Sequence, residues 1–592
     1  MLKKPHLSGA EYLEQYRESG KLVVGTFVAG NVSFIIPDND RLPQSMEVKA
    51  ISDKGQTVMP TALSGLKVVA RFNPNAPTMV DVIEVLGAST KIGVDVLSII
   101  RSYNLFEEFS NEAVNEAKVV AKITAGDISG REDWRERVLV TVDPEDAKDL
   151  DDAVGLETNN DGTYELSVHI ADVSHFVREG GQLEAEAFAR GTSVYFPGGV
   201  LPMLPKQLSN NICSLLPNED RLCLACIMTV SPEGKVLKSR IAETVIKINT
   251  RFSYNIVQRI LDGDVEVRKN YKKLVPMLEK MAELTKVIEA IRQARGEVIL
   301  DMPEPKIILD ENGKIADVVA YPHELSHRII ETFMVLANET IAGYALEHNL
   351  PFVYRIHEKP DPMKAERLSN MLRPFGLEFF FKGDSPSGHD YQRLLRDIDG
   401  ELKHIVSSLA LRSMQKAKYS PDCIGHFGLG SKHYCHFTSP IRRYPDLVIH
   451  RILKEMLHRK LSSHRLEELH GIVKAASEQS TKTELAATEV EREVDNLKKA
   501  QYMQEHIGEE FSGTISGIAD FGVFVYLPNT VEGLVRIENL PKETKKEYYR
   551  YNEGNGTVSS PRRTFKMGDK IDVVVAGVNI TRRQIEFTGV QG

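Results

Sequence analysis

A ten-residue segment, 143–152, concentrates acidic side chains directly after a run of apolar and β-branched residues, 138–142. The acids are Asp143, Glu145, Asp146, Asp149, Asp151 and Asp152. Carboxylates this close together repel one another strongly unless cations lie among them. Oxygen ligands of this kind favour magnesium or manganese. The segment therefore predicts a divalent-cation site at the end of a buried strand.

A solvated acidic loop is the alternative interpretation of this segment, because runs of like charge are commonly exposed to solvent. A calcium-binding EF-hand loop is excluded. Its template needs Asp or Asn at the fifth position and Gly at the sixth, and a loop starting at Asp149 has Ala153 and Val154 there.

A second segment, 436–447, combines adjacent arginines with hydroxyl side chains in the order His-Phe-Thr-Ser-Pro-Ile-Arg-Arg-Tyr-Pro-Asp-Leu. Guanidinium groups bind phosphate oxygens in bidentate fashion, and a proline favours the start of a helix, where anions bind. Arg442 and Arg443 therefore indicate a phosphate clamp. A structural node of ion pairs is the alternative.

A third segment, 191–197, has the order Gly-Thr-Ser-Val-Tyr-Phe-Pro and continues to Leu-Pro-Met-Leu-Pro at 201–205. An aromatic pair bounded by glycine and proline, here Tyr195 and Phe196, can stack on a nucleobase. Core packing is the alternative and the commoner role of such a pair.

The length and composition of the chain limit the class of protein. Its 592 residues exceed one core, and the usual domain size of ~100 to 200 residues predicts about three to five domains. Apolar residues at 42% and charged residues at 27% are typical of soluble globular proteins. A net charge of -9 excludes a uniformly basic nucleic-acid-binding surface, so RNA contacts must come from local basic patches, as at 441–460 and 541–570.

The cysteines and the N-terminal residues bear on the cellular compartment. Five cysteines are few and odd in number, which favours a reducing compartment over a disulfide scaffold. Cys223-x-x-Cys226 has no second pair nearby, so packed thiols are favoured over a zinc site. The first twenty residues contain no apolar signal segment, and no apolar run approaches the ~20 residues that span a bilayer. We expect a cytoplasmic protein without a membrane contact.

Hydrophobic periodicity divides the chain into four parts. Alternating strand-like runs predict a small β-barrel over 1–89, and helical spacing predicts a connector over 90–135. Strands mixed with long helical patterns indicate one large α/β domain over 136–506, which ends in a charged helical segment. Strand patterns with glycine and asparagine turns predict a second small barrel over 507–592.

Together the three segments resemble the RNB family of exoribonucleases, which includes ribonuclease II and ribonuclease R enzymes. The resemblance runs from about residue 90 to the end, with the motifs in the family's order. It implies a multidomain α/β plus all-β fold, in which a central mixed α/β RNB-type catalytic domain is flanked by small OB-fold β-barrels. The N-terminal barrel resembles a reduced cold-shock domain, and the C-terminal barrel resembles an S1-type RNA-binding domain.

The resemblance implies a 3′-to-5′ exoribonuclease that hydrolyses single-stranded RNA to 5′-nucleoside monophosphates by a two-metal-ion mechanism, in RNA decay or processing. In the family, the aspartates of the D-x5-D-x-D-D pattern hold the metals. They match Asp143, Asp149, Asp151 and Asp152, with magnesium as the expected ion and manganese as the alternative. The family's essential arginine matches Arg442, which would neutralise charge on the scissile phosphate.

The resemblance also implies contacts to the RNA end. Tyr195 matches the tyrosine that stacks near the terminal nucleotides, and Glu331 matches an acid near the terminal ribose. Two positions depart from the family. Thr332 follows Glu331 where a second acid is usual, and Leu300 stands where a base-stacking Phe is common.

The C-terminal barrel would add Phe521 and Phe524 as a stacking face for single-stranded RNA, and Arg443 would contact a phosphate. We expect a monomer. Two other functions are considered: an RNA-binding regulator with a retired active site, and a metal phosphodiesterase acting on DNA or short oligonucleotides. The presence of all four aspartates and Arg442 argues against the first.

Overall fold

The computed structural model describes residues 9–544, 547–552 and 556–590. In chain order, a small N-terminal barrel precedes a set of connecting helices, a mixed α/β domain and a C-terminal closed barrel. This arrangement confirms the predicted fold class of a mixed α/β centre flanked by small barrels.

The N-terminal unit begins with helix α1 (Gly9–Glu18) and continues with six strands. These are β1 (Val23–Val28), β2 (Phe34–Pro37), β3 (Met46–Asp53), β4 (Gln56–Thr57), β5 (Leu66–Asn73) and β6 (Ala76–Ala88). The strand order is β2-β1-β5-β6-β3-β4, and β2 also pairs with β3, so the sheet returns on itself. Phe27, Ile35 and Val68 are fully buried inside it, because alternate residues of a strand point to one face.

Three helices connect this barrel to the next domain: α2 (Val94–Ser102), α3 (Asn111–Val120) and α4 (Ala125–Ile128). The α2 residue Arg101 is buried, and its Nε donates to Glu84 Oε2 of β6 at 2.7 Å. Ser110 accepts the N–H of Ala113 and so caps α3. The connector is therefore attached to the barrel by a buried ion pair.

A large sheet lies at the centre of the α/β part, which is the predicted catalytic domain. The strands of this domain are β7 (Glu132–Asp133), β8 (Val140–Asp143), β9 (Asp152–Thr158), β10 (Tyr164–Ala171), β11 (Val194–Phe196), β12 (Gly199–Leu201), β13 (Asp220–Val230), β14 (Val236–Lys247), β15 (Thr250–Ser253), β16 (Pro305–Leu309), β17 (Ile315–Ala320), β18 (Tyr354–Ile356) and β19 (Lys418–Ser420). Seven form one sheet in the order β15-β8-β9-β10-β13-β14-β7. Cys223 and Cys226 are fully buried free thiols on β13, which confirms the packed-thiol prediction.

Helices cover this sheet and extend to one side of it. They are α5 (Val173–Phe176), α6 (Gln182–Arg190), α7 (Tyr254–Leu261), α8 (Val265–Asn270), α9 (Val275–Ala294), α10 (Leu325–Glu347), α11 (Pro362–Leu372), α12 (Gly388–Arg396), α13 (Gly400–Ser413), α14 (Tyr444–Leu457) and α15 (Ser463–Glu505). Helix α10 is long and apolar enough to cross a membrane by length and composition. However, Phe333, Ala337 and Ile341 of α10 are fully buried in the core that it shares with the sheet, so α10 is a core helix.

The 43-residue helix α15 contributes to three hydrophobic cores. Val473 packs in the core of the catalytic domain, Val490 packs with α2 and the β11–β12 hairpin, and Met503 packs in the C-terminal barrel. A single helix thus joins the catalytic domain to both of its neighbours.

The C-terminal unit contains β20 (Glu510–Ala519), β21 (Gly522–Tyr526), β22 (Glu532–Arg536), β23 (Arg550–Asn552), β24 (Thr557–Ser559), β25 (Thr564–Phe565), β26 (Lys570–Asn579) and β27 (Gln584–Gly589). Five of these strands close into a barrel in the order β20-β21-β22-β27-β26, and β23 to β25 form a separate small sheet. Ile515, Val535 and Phe587 fill the barrel interior.

Candidate active site

The acidic loop, residues 143–152, joins two neighbouring strands. β8 ends at Asp143 and β9 begins at Asp152, and the two strands pair in antiparallel fashion. The loop therefore starts and ends at the same end of two neighbouring strands of the sheet. Its residues Glu145 and Asp146 are exposed, whereas Asp151 is only 4% exposed. The alternative of a fully solvated loop is wrong for the aspartates of the D-x5-D-x-D-D pattern.

Burial raises the pKa of Asp143, Asp151 and Asp152 above the usual range of an aspartic acid. The charge of Asp152 raises the pKa of Asp143 further, and the charge of Arg442 opposes the rise at Asp151. The Oδ2 atoms of Asp143 and Asp151 are buried and have no hydrogen-bond partner. Unpaired buried carboxylate oxygens are costly, and a divalent cation is a partner that satisfies them. The residues present thus fit a magnesium-type site.

Two of the four aspartates accept hydrogen bonds from groups outside the acidic loop. The phenol of Tyr195 donates a hydrogen bond to Asp149 Oδ2, and the main-chain N–H of Ile441 donates one to Asp151 Oδ1 at 2.9 Å. In the part of the chain that the structure describes, no three Asp, Glu, His or Cys side chains surround one point as metal ligands do. Cation binding therefore requires side-chain rotation within the acidic loop.

Arg442 lies beside the acidic loop. Its Nε is 4.0 Å from Asp151 Oδ2, its Nη2 donates to Ser439 Oγ at 3.2 Å, and 42% of its side chain is exposed. The carbonyl of Arg442 accepts hydrogen bonds from Ser193 N and Thr192 Oγ1, both at 3.0 Å. The folded chain therefore brings the acidic, arginine and aromatic segments of the sequence together.

Arg443 does not share this position. Its Nε and Nη2 donate to the two carboxylate oxygens of Asp446 at 2.9 and 2.7 Å, and Asp446 is fully buried. The N–H of Ser439 also donates to Asp446, at 2.8 Å. The Arg443 guanidinium therefore forms the structural ion pair considered above as the alternative, and its phosphate contact stays a prediction.

Two of the remaining cations of the basic patch 441–460 are also paired. Arg451 Nη1 lies 2.7 Å from Glu184, and Lys454 Nζ lies 2.8 Å from the buried Asp172. Arg459 and Lys460, at the end of the patch, are exposed. The second patch, 541–570, includes residues 545, 546 and 553–555, which lie outside the described residues.

The β11–β12 hairpin presents Tyr195 to the acidic loop. Tyr195 is 39% exposed, whereas Phe196 packs against a hydrophobic cluster, so the two aromatic residues divide the predicted roles of stacking and core. Glu491 of α15 accepts the N–H of Tyr195 at 2.9 Å. Gly191 precedes the hairpin with φ of +66°, and a Cβ there would overlap Thr483 of α15. The close approach of α15 therefore requires glycine at this position.

Tyr254 is a residue near the acidic loop that the sequence did not indicate. It stacks on His327, with ring centroids 4.1 Å apart. Burial, followed by the charges of Asp152 and Asp143, raises its pKa. Ser253, the preceding residue, is in register with Asp143 in the parallel pair β15–β8. Only this pairing places Tyr254 in the site, and it has no local signature in the sequence.

The residues at the predicted ribose and base contacts differ in their exposure to solvent. Glu331 is exposed, and its carboxylate lies 3.2 Å from His323. Thr332 is 1% exposed and points into the core. Leu300 is partly buried against the hydrophobic cluster of α11 to α13. Glu331 therefore remains available to a ligand, and the departures at Thr332 and Leu300 fall on side chains that pack inside the protein.

The C-terminal barrel and the catalytic domain enclose a cavity of about 640 Å³. Phe521 and Phe524 line it from the barrel with their rings in an edge-on arrangement, 6.1 Å between centroids. Arg412 of α13 and Arg492 of α15 line it from the other side. Aromatic rings opposite arginine side chains are the elements of a single-stranded nucleic-acid groove.

Comparison with known families assigns three parts of the chain. The family model of the RNB domain matches residues 131–506, that of the S1 RNA binding domain matches residues 505–588, and that of the cold shock domain matches residues 34–110.

Individual relatives match along nearly the whole chain. Ribonuclease R 1 of Lactococcus lactis is 37% identical over 97% of this chain and 71% of its own length. Ribonuclease R of Escherichia coli is 34% identical over 96% of this chain and 71% of its own. Among solved structures, Mycoplasma genitalium RNase R in complex with ribose methylated single-stranded RNA has a TM-score of 0.86 and 26% identity, and the match covers 96% of this chain and 90% of that one. Yeast Ssd1, described as a pseudonuclease, shares the fold at 19% identity, with a TM-score of 0.72 over 91% of this chain and 67% of its own.

Proposed function

The chain belongs to the RNB family and is a 3′-to-5′ exoribonuclease acting on RNA, and we propose that hydrolysis takes place at the acidic loop. The observation that carries this proposal is the meeting of Asp151, Arg442 and Tyr195, which come from three distant segments of the chain. Hydrolysis that leaves the phosphate on the released nucleotide yields 5′-nucleoside monophosphates. We propose these as the products.

We propose that Asp143, Asp149, Asp151 and Asp152 hold magnesium, with manganese as a substitute. Buried carboxylate oxygens without partners support this assignment, because hard oxygen ligands favour these ions. When bound, a pair of such ions lowers the pKa of a water molecule and stabilises the leaving oxygen. Asp149 has to give up its hydrogen bond from Tyr195, or share it, before both of its oxygens can act as ligands.

Arg442 is proposed to bind the scissile phosphate. Its nearest carboxylate is 4.0 Å away and its side chain is 42% exposed, so the guanidinium is only weakly engaged in the free protein. A phosphate that gains negative charge during hydrolysis binds a guanidinium more strongly than the ground state does. Arg442 would therefore act mainly in the transition state.

The selectivity for RNA is proposed to depend on Glu331 at the terminal ribose, since a phosphate-binding channel alone does not distinguish RNA from DNA. The exposed carboxylate of Glu331 supports this role. The ratio of degradation rates for RNA and DNA oligomers of one sequence should fall in Glu331→Ala. An unchanged ratio would reject the role of Glu331 and leave the exoribonuclease assignment intact.

The proposed reaction is tested with 5′-labelled single-stranded RNA in magnesium, in manganese and in a chelator. We expect progressive shortening of the labelled strand with either ion and none with the chelator. A parallel reaction with uniformly labelled RNA should release 5′-nucleoside monophosphates. A folded sample supplied with magnesium that leaves the 3′-terminal nucleotide in place contradicts the proposal and favours the retired RNA-binding protein.

A further inference from the structure

Arg251, which has none of the roles predicted above, contacts the acidic loop. Arg251 Nη2 donates to three main-chain carbonyls of this loop: Pro144 O at 3.4 Å, Glu145 O at 3.0 Å and Ala147 O at 2.7 Å. A backbone carbonyl is a strong hydrogen-bond acceptor, and one guanidinium nitrogen contacts three of them here. Arg251 thus fixes the first half of the loop.

Strand pairing places Arg251 at this position. β15 runs parallel to β8, with Arg251 opposite Thr141 and Ser253 opposite Asp143. The last strand residue before the loop and the arginine that holds the loop therefore belong to adjacent strands of one sheet. Ser253 Oγ adds a contact of 3.4 Å to the Glu145 carboxylate.

The second half of the loop is held separately. The buried Ser214 Oγ donates to Lys148 O at 2.8 Å and accepts from Leu150 N at 3.1 Å, and Leu215 N donates to Leu150 O at 3.0 Å. Asp149 lies within this second part, between Lys148 and Leu150, so the contacts of Ser214 fix both of its backbone neighbours.

We infer that Arg251 is a positioning residue: by holding the carbonyls of Pro144, Glu145 and Ala147 it sets the course of the chain between Asp143 and Asp149 for cation binding. This inference rests on the proposed function of the acidic loop. The Nη2 group of Arg251 is occupied by the loop.

The test compares Arg251→Met with Arg259→Met. Arg259 is the matched control, because it lies nearby on α7, carries the same charge and forms an exposed ion pair with Asp264 at 2.7 Å. Manganese affinity is measured on the RNA-free protein by electron paramagnetic resonance, and kcat and KM are measured on single-stranded RNA. Residues behind metal ligands typically change affinity or activity by about 10- to 100-fold.

We expect Arg251→Met to weaken manganese binding and lower kcat by about 10- to 100-fold each, with KM for RNA nearly unchanged. Arg251→Lys, which keeps the charge and several donors on a shorter side chain, should recover part of both losses. Arg259→Met should match the wild type. Where Arg251→Met does not fold, as judged by circular dichroism, Arg251→Gln and Arg251→Lys supply the same comparison.

Two results overturn the inference. One is wild-type manganese affinity and kcat in Arg251→Met. The other is a raised KM with unchanged kcat and metal affinity, which would make Arg251 an RNA contact. If the wild type itself neither binds manganese nor cuts RNA, the proposed function fails instead, so the two failures are distinguishable.

Discussion

The main-chain N–H of Ile441 donates a hydrogen bond to Asp151 Oδ1 at 2.9 Å, while Asp151 Oδ2 is buried without a partner. One oxygen of this carboxylate is thus fixed by the arginine-bearing segment, and the other lies 4.0 Å from Arg442 Nε. Since Arg442 follows Ile441 directly, the same contact sets the distance between the carboxylate and the guanidinium.

Asp151→Asn should abolish hydrolysis while RNA binding remains, because the amide keeps the size of the side chain and removes its charge. We expect kcat to fall by more than about 100-fold, since changes behind metal ligands already cost about 10- to 100-fold. Single-turnover cleavage and a mobility-shift assay measure the two effects. Asp146→Asn, at an exposed position of the same loop, is the control and should remain active. A variant at Asp151 that cuts at the wild-type rate would refute the assigned role.

Arg442→Ala and Arg443→Ala should affect different properties although the residues are adjacent: the first should lower kcat, and the second should lower the free energy of unfolding. Loss of the Arg442 guanidinium removes a donor to the phosphate, and such donors contribute roughly 10²- to 10³-fold to kcat. Loss of Arg443 leaves Asp446 buried without its ion-pair partner, which costs roughly 3 to 5 kcal/mol of unfolding free energy. Urea denaturation and steady-state kinetics on both variants check this. An Arg443→Ala variant with wild-type stability and a reduced kcat would instead support the predicted RNA contact of Arg443.

Magnesium should stabilise the folded protein against heat. An ion that binds only the native state at about 100 times its Kd adds roughly 2.7 kcal/mol, and it relieves the repulsion between Asp143 and Asp152. Differential scanning calorimetry with magnesium and with chelator, at equal ionic strength, measures the change. Asp143→Asn should show a smaller increase in Tm than the wild type. Equal increases in both proteins would place the bound ion elsewhere.

Gly191→Ala should displace the hairpin that carries Tyr195. The new Cβ would overlap Thr483, and the left-handed conformation at φ of +66° adds about 1 to 2 kcal/mol for a residue other than glycine. We expect a lower kcat and altered final product lengths on a sequencing gel. The double variant Gly191→Ala, Thr483→Ala should recover activity in part, because it removes the overlap but not the backbone strain. Thr483→Ala alone is the control.

Acid should destabilise the protein through its buried histidines. Burial lowers the pKa of His169 to about 3 and that of His450 to about 4, whereas the unfolded value is ~6.5. A group whose pKa is lowered on folding contributes stability above its unfolded pKa and loses it as pH falls. Between pH 6.5 and pH 5 each such histidine should cost about 1.5 kcal/mol. Urea denaturation of the wild type and His169→Gln measures this, and a variant with an equally steep pH dependence would contradict it.

The residues that the sequence did predict belong to short, contiguous patterns. The four aspartates lie within ten positions after a buried strand, and Arg442 lies two residues before Tyr444, where α14 begins. Such local spacing survives folding unchanged. The mixed α/β centre and the small barrels were likewise predictable, because hydrophobic periodicity changes at their borders.

Other residues of the site depend on strand pairing or on contacts between distant segments. Arg251, Ser214 and Glu491 have no motif of their own. The pair β15–β8 brings Arg251 to the acidic loop, Ser214 reaches the loop from the segment before β13, and α15 brings Glu491 to the main chain of Tyr195. The ion pair of Arg443 has a different origin. Arg442 and Arg443 are adjacent residues of the same type. Only the turn at the start of α14 directs Arg443 toward Asp446, three residues later.

Helix α15 has a consequence for how the enzyme responds to a bound strand. It is continuous from the catalytic core, past Glu491 and the Tyr195 hairpin, to Met503 inside the C-terminal barrel. The barrel and the Tyr195 backbone are therefore attached to one continuous helix. We expect a reorientation of the barrel by a bound polymer to displace the Tyr195 backbone through this helix.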